Sequence, residues 1–109
     1  VLPLTIEEVL NAAGGRLASG DLPAGIAGVS TDTRTLKAGD LYIPISGDRF
    51  DGHDFIGEAF RKGAAASFIS KKISTDSLTG PVIEVGDALL AYQALAAFYR
   101  RKLGVKVVA

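Results

Sequence analysis

Two short runs hold most of the polar chemistry of this chain. The first, Ser30-Thr31-Asp32-Thr33-Arg34, places three hydroxyls, a carboxylate and a guanidinium within five residues. Thr33 can donate to a phosphate or carbonyl oxygen, and Arg34 can bind an anion or lock a neighbouring loop. The same residues also suit a plain Asx- or ST-turn at a strand end, with Arg34 paired to Asp32 or Asp40. The second run, "SGDRFDGH", occupies 46–53. There Gly47 and Gly52 permit positive φ and close approach to a ligand. Arg49 offers charge for a phosphate, Phe50 a flat face for a base or sugar, and the helix that follows favours anions at its start. The alternative is a glycine-rich turn feeding a capped helix, with Phe50 in the core.

His53 is the single histidine, and the chain has no cysteine, so a metal site would want for partners. A general base needs a nucleophile within reach, and no neighbour in sequence proposes one. His53 therefore reads as a cap or a contact to an adjacent loop, and Asp51 and Asp54 as caps. No Walker A sequence occurs, so ATP binding is not assigned within the chain.

These runs need elements to hold them. Thr5 and Glu8 have capping-box spacing, followed by a helix with Ile6, Val9, Leu10 and Ala13 on one face and Gly14-Gly15 at its end. Strands are predicted at 16–19, 26–30 and 41–45, then at "AAASFIS" and "PVIEV". A helix between Asp51 and Gly63 has Phe55, Ile56, Ala59 and Phe60 as its apolar face. Asp87 opens the longest helix, 88–103, with Leu89, Tyr92, Ala96 and Tyr99 on one face, Leu95 and Phe98 beside it, and Arg100, Arg101 and Lys102 in its last turn. Gly104 ends it, and 105–109 is a final strand. Strand and helix alternate from residue 26 onward. The expected fold is α/β: a single small domain with a mixed, mostly parallel sheet and helices packed on its faces.

Composition narrows the partners. At 109 residues and 48% apolar, the chain is one globular domain. A formal net charge of zero and a pI near 6.8 give no electrostatic footprint for nucleic acid or an anionic membrane. No apolar run approaches the roughly 18 residues of a membrane span. The lack of cysteine excludes a disulfide scaffold and is compatible with a reducing cytoplasm, where the domain is placed. Val1 is not a methionine and "VKVVA" reads as a strand, so the chain is expected to be a piece of a longer protein.

Four pieces occur in order: Asp32-Thr33-Arg34 as D-[ST]-R, Gly39-Asp40-Leu41-Tyr42 as G-D-L-[FY], Gly47 to Phe55 as G-x-x-x-D-G-H-x-F, and Ala59 to Ala64 as A-x-x-x-G-A. Together they resemble the N-terminal domain shared by the Mur ligases that extend the peptidoglycan stem peptide, over essentially the whole chain. "GDRFDGHDF" and "ALAAFYRRKLGVKVVA" look more like the MurF branch, which adds D-alanyl-D-alanine, than the sister MurE branch.

The resemblance implies a domain that binds the UDP moiety of UDP-N-acetylmuramoyl-tripeptide. Its last strand would lead into a central ATPase domain outside these residues. It further implies a parent ligase that uses ATP and Mg to activate the tripeptide carboxylate as an acyl phosphate, which D-alanyl-D-alanine attacks; the 109 residues themselves would be inactive. Carried over by position, the UDP contacts come from Thr31, Thr33, Arg34, Gly47, Asp48, Arg49 and Phe50, with no catalytic and no metal residue. Asp48 departs from what a diphosphate wants, so it is expected to face the uracil or ribose, or to point away. The other readings are a MurE-type domain, a non-catalytic interaction module with an exposed apolar patch, and a complete small enzyme.

Overall fold

A capping box opens the first helix. The Thr5 hydroxyl oxygen accepts from the Glu8 N–H at 3.2 Å, and the Glu8 carboxylate accepts from the Thr5 N–H at 3.0 Å. Helix α1 (Ile6–Ala13) thus begins where the spacing predicts, and Gly14 closes it in the left-handed region at φ 69°. The computed structural model describes residues 4–45, 51–72 and 78–107, the last five as backbone.

The strands are β1 (Leu4–Thr5), β2 (Arg16–Ser19), β3 (Gly25–Ile26), β4 (Gly28–Ser30), β5 (Asp40–Tyr42), β6 (Ala66–Ile69) and β7 (Val82–Glu84). A short 3-10 turn, Gly52–Phe55, precedes α2 (Ile56–Arg61), and α3 spans Ala88–Val107. The main sheet has the order β2-β7-β6-β5-β4. Its pairs from β4 to β7 are parallel and β2 runs antiparallel, while β1 and β3 form a separate antiparallel ribbon. This is the expected α/β sheet, mixed and mostly parallel.

Two expected strands are cut short. The run 26–30 divides at Ala27, whose N–H donates to the Gly39 carbonyl at 3.0 Å, so the chain changes partner there. The run 41–45 pairs only through Tyr42 and one further bond, Ile43 N–H to the Ser30 carbonyl at 2.9 Å. Pro44 then has no N–H to continue the ladder.

Alternation along the strands sorts the core into two faces. Leu41, Ile43, Phe68 and Ile83 pack with Ile6 and Val9 of α1 and with Ala88, Ala91 and Leu95 of α3. Tyr42, Ile69 and Val82 pack on the other side with Ile56 and Ala59 of α2. The face of α3 differs from expectation. Its buried stripe is Ala88, Ala91 and Leu95, whereas Leu89 is 49% and Tyr92 37% exposed. Apolar residues lie around much of this helix, so their spacing does not fix its rotation; small alanines let it sit close to the sheet.

Gly104 does not end α3, which continues through Val107 where a strand was expected. A helix closes its hydrogen bonds internally, while a strand needs a neighbour, and no strand pairs with that segment among the described residues. The three basic residues at 100–102 therefore fall short of the last turn. Lys102 instead binds both oxygens of Glu8, at 2.9 and 2.8 Å, and ties α3 to the start of α1.

Candidate functional site

Parallel pairing of β4 with β5, with Ser30 opposite Tyr42, puts the C-terminal ends of both strands on one edge of the sheet. The turn 31–34 leaves β4 there, and Ile45 leaves β5 beside it. Such an edge is where open α/β sheets commonly hold ligands. A cavity of about 660 Å³ lies at it, lined by Thr31, Asp32, Thr33, Arg34, Tyr42, Ile45, Phe55, Glu58, Leu89 and Tyr92. Phe55, Leu89 and Tyr92, which helical spacing puts on core faces, are wall residues here.

Of the residues expected to contact UDP, Thr31, Thr33 and Arg34 line this cavity. Gly47, Asp48, Arg49 and Phe50 lie outside the described residues. The chain on either side of them is defined. A Cβ on Gly52 would lie 2.6 Å from the Ile45 nitrogen, 2.7 Å from its oxygen and 2.8 Å from the Pro44 Cα. Residue 52 is thus folded back onto residue 45. Gly52 is also absent from the glycines with positive φ, so its service is close approach to its own chain rather than a left-handed turn or a ligand contact.

The turn itself is heavily bonded. Ser30 donates its hydroxyl to the Asp32 carbonyl at 2.8 Å, and the Asp32 N–H donates back to Ser30 at 3.1 Å. The Asp32 carboxylate accepts from the Arg34 N–H at 2.8 Å and from the guanidinium Nη2 at 2.7 Å. Arg34 therefore pairs with Asp32, the Asx-turn arrangement; Asp40 accepts from the Lys37 N–H instead, at 3.0 Å. The guanidinium bond, then the Arg34 backbone bond, lower the Asp32 carboxyl to about 2.

Thr33 corrects one expectation. It is buried, and its hydroxyl donates to the Glu58 carboxylate at 2.5 Å, so its proton is engaged within the protein rather than free for a phosphate or carbonyl oxygen. Its carbonyl accepts from the Lys62 ammonium at 2.7 Å. Sequence reasoning missed Glu58 and Lys62. Their i, i+4 spacing is visible on α2, but that spacing ordinarily pairs two charges with each other. Here both turn to residue 33, which no local pattern announces. The sequence marks Tyr42 as a strand residue and the last position of the G-D-L-[FY] piece. Its hydroxyl donates to the Gly52 carbonyl at 2.9 Å, and burial first, then the charges of Asp32, Glu58 and Asp51, push the phenol up to about 12.

A second polar cluster sits at the start of the 3-10 turn. Asp51 accepts from the His53 N–H at 2.9 Å and from the ring Nδ1 at 2.7 Å, and also binds the Lys71 ammonium. The His53 Nε2 accepts from the Ser70 N–H at 3.0 Å, which assigns the ring proton to Nδ1. Asp51 therefore provides the cap, and His53 makes the contact to a neighbouring segment that its sequence context allowed. Among the described residues no group of three or more His, Cys, Asp or Glu is placed to hold a metal, and no helix is long and apolar enough to cross a membrane.

The sequence profile described as "Mur ligase family, catalytic domain" matches residues 25–102. The chain is 43% identical over 83 residues to the UDP-N-acetylmuramoyl-tripeptide–D-alanyl-D-alanine ligase of Bacillus subtilis, covering 76% of this chain and 18% of that protein. The ligase of the same name from Escherichia coli is 34% identical over 109 residues, covering 100% of this chain and 23% of the relative. The UDP-N-acetylmuramoyl-L-alanyl-D-glutamate–2,6-diaminopimelate ligase of Syntrophomonas wolfei is 37% identical over 95 residues, 85% of this chain and 19% of that protein. Among solved structures, MurF from Acinetobacter baumannii superposes with a TM-score of 0.81 at 25% identity, covering 94% of this chain and 22% of that one. The chain spans about a fifth of the length of the curated relatives it matches. The ordered motifs, the profile and the shared fold agree, and the chain belongs to the Mur ligase family.

Proposed function

We propose that this chain is the N-terminal, UDP-substrate-binding domain of a MurF-type ligase, and that the cavity at the β4–β5 edge receives the UDP end of UDP-N-acetylmuramoyl-tripeptide. The observation that carries the reading is the cavity itself. It joins the hydroxyls and guanidinium of 31–34 to apolar walls from Tyr42, Ile45, Phe55, Leu89 and Tyr92. A pocket of this size, mostly apolar with a few convergent polar groups, suits a small molecule such as a nucleoside. Arg34 spends Nε and Nη2 on Asp32 and keeps further N–H donors for a phosphate. The loop residues Gly47 to Phe50, which lie outside the described residues, are assigned to the same ligand on the family resemblance alone.

In the parent ligase, ATP, with Mg, would give its γ-phosphoryl group to the tripeptide carboxylate and leave as ADP, and the amine of D-alanyl-D-alanine would then displace phosphate from the acyl carbon to form the amide. These residues do not fit that task. The chain has no Walker A sequence, and its described carboxylates form no metal-binding group. The share assigned here is positioning: holding the nucleotide tail so that a distant carboxylate meets the reacting groups. The substrate chemistry places the parent in the cytoplasm, where UDP-linked precursors and ATP are available.

Titration of the chain with UDP, and then with UDP-N-acetylmuramoyl-tripeptide, tests the assignment by amide chemical shifts. Perturbation at Thr31 to Arg34, Ile45 and Phe55 is expected. Shifts confined to another surface overturn it, and ATP turnover by the 109 residues overturns the division of labour. The similarity to diaminopimelate-adding ligases supports a second reading, a MurE-type domain. The parent enzyme decides between them by whether it adds D-alanyl-D-alanine to the tripeptide or diaminopimelate to the dipeptide.

A further inference from the structure

We propose that Glu58 is a positioning and specificity-determining residue of this pocket: by accepting the Thr33 hydroxyl bond it leaves that oxygen only lone pairs to offer, so the inner wall selects a hydrogen-bond donor of the nucleoside and turns phosphate away. The inference rests on the nucleotide reading above and deepens it.

A threonine hydroxyl has one proton and two acceptor sites. The Thr33 proton goes to Glu58 at 2.5 Å, and the residue itself is buried. Lys62, at the C-cap of α2, holds the main-chain carbonyl of the same residue at 2.7 Å. Residue 33 is thereby clamped through side chain and backbone by a single helix. A phosphate oxygen at Thr33 would need that proton back. It would also face the Glu58 carboxylate, with Asp32 on the same wall. Like charges brought this close in a partly enclosed cavity repel strongly.

A nucleoside carries the complementary groups. The uracil N3–H is an obligate donor, and each ribose hydroxyl can donate. Either satisfies the Thr33 oxygen without bringing charge. The phosphates then lie on the side of Arg34, whose side chain is 85% exposed.

The test measures dissociation constants of uridine and UDP by amide shifts at 31–34, in the unaltered chain, Glu58→Gln and Glu58→Ala. Gln keeps a carbonyl that accepts from Thr33 and loses the charge. E58Q is expected to favour UDP over uridine by about three- to tenfold more than the unaltered chain does, with the gain shrinking as salt is added. E58A is expected to weaken uridine at least about fivefold, and E58Q to restore it to within about twofold. An equal change for uridine and UDP in E58Q, or no change for uridine in E58A, overturns the proposal. Three analogues identify the donor. Loss of binding with 3-methyluridine assigns the imide, and loss with 2′-deoxyuridine or 3′-deoxyuridine assigns the ribose; loss with none of them overturns the acceptor role.

A readout without ligand separates this proposal from the nucleotide reading. A slowly exchanging Thr33 hydroxyl proton is expected in the unaltered chain and E58Q and not in E58A. Its absence from the unaltered chain overturns the clamp even where UDP binds. Should neither uridine nor UDP perturb 31–34, the nucleotide reading fails and the selectivity claim with it, while a protected hydroxyl would still uphold the positioning role.

Discussion

At the turn after β4, Asp32 accepts from the backbone N–H and the guanidinium of Arg34. At the corner after Asp51, the carboxylate accepts from the backbone N–H and the ring of His53. Both clusters use an aspartate that folds back over the next two residues, both recruit a basic side chain, and both follow a strand of the same sheet. Only the first opens onto a cavity of about 660 Å³. At the second, the imidazole is driven into the protein, its side chain 4% exposed, and its far nitrogen is met by the Ser70 N–H. Two clusters of similar chemistry therefore do different work. What separates them is the space in front of them, which depends on where α2 and α3 lie.

Substitutions can break or sharpen that contrast. The largest effect is expected where the two regions join. Gly52→Ala would drive a methyl into the backbone of Pro44 and Ile45, and loss of roughly 3 kcal/mol is expected in chemical denaturation. Retention of full stability would mean that residues 45 and 52 do not meet in this way.

His53→Ala comes next. It strips the Ser70 N–H and the Asp51 carboxylate of a buried partner, and about 2 kcal/mol should be lost by the same measurement. Uridine binding at 31–34 should stay within about twofold, and a larger loss would show that the corner belongs to the site.

Thr33→Val makes the opposite case: a smaller loss of stability, about 1 kcal/mol, with uridine binding markedly weakened in the amide titration. Together these two variants form a double dissociation. If both change stability and binding in parallel, the contrast drawn between the clusters fails.

Tyr42→Phe should cost about 1 kcal/mol by removing the bond to the Gly52 carbonyl. It should also change the alkaline limb. The folded phenol titrates near 12 against an ordinary 10, so the folded state holds its proton more tightly. That contribution is complete below pH 10 and is lost as pH rises toward 12. In Y42F this part of the alkaline decline should vanish, and so should the latest tyrosinate absorbance step.

The smallest effect concerns Asp32, whose pair with Arg34 is exposed. Its carboxyl is lowered from 3.8 to about 2, so the stabilisation is present above pH 4 and fades as pH falls through 2. Asp32→Asn should flatten the acid limb across that window and lower stability at pH 7 by the same small amount. A steep acid limb in D32N would assign the dependence to other carboxylates.

Particular residues show how far local pattern reaches. The Thr5–Glu8 capping box, the Asp87 cap of α3 (Leu90 N–H to Asp87 at 2.9 Å) and the Asp32–Arg34 turn were all legible, because each closes within a few residues. The split at Ala27 was not, since its cause is a bond to Gly39 across the crossover. The rotation of α3 was not either. Leu89 and Tyr92 look like core by spacing, yet Ala88, Ala91 and Leu95 take that place because the packed sheet favours small side chains. Of the residues around the cavity, 31–34 stand out by residue type, while Glu58 and its neighbour Lys62 do not, because their partner Thr33 lies 25 and 29 positions away.

By itself, then, the sequence determined the class of sheet, most element starts and the family, since these rest on periodicity, caps and ordered motifs that act over short spans. The folded chain alone decided that the Thr33 hydroxyl proton goes to Glu58, that Phe55 and Tyr92 line the cavity, and that the group His53 meets is the Ser70 N–H. Each of those depends on which distant groups share a proton or a surface, and a hydroxyl's role is fixed only when the neighbour that accepts its hydrogen is in place.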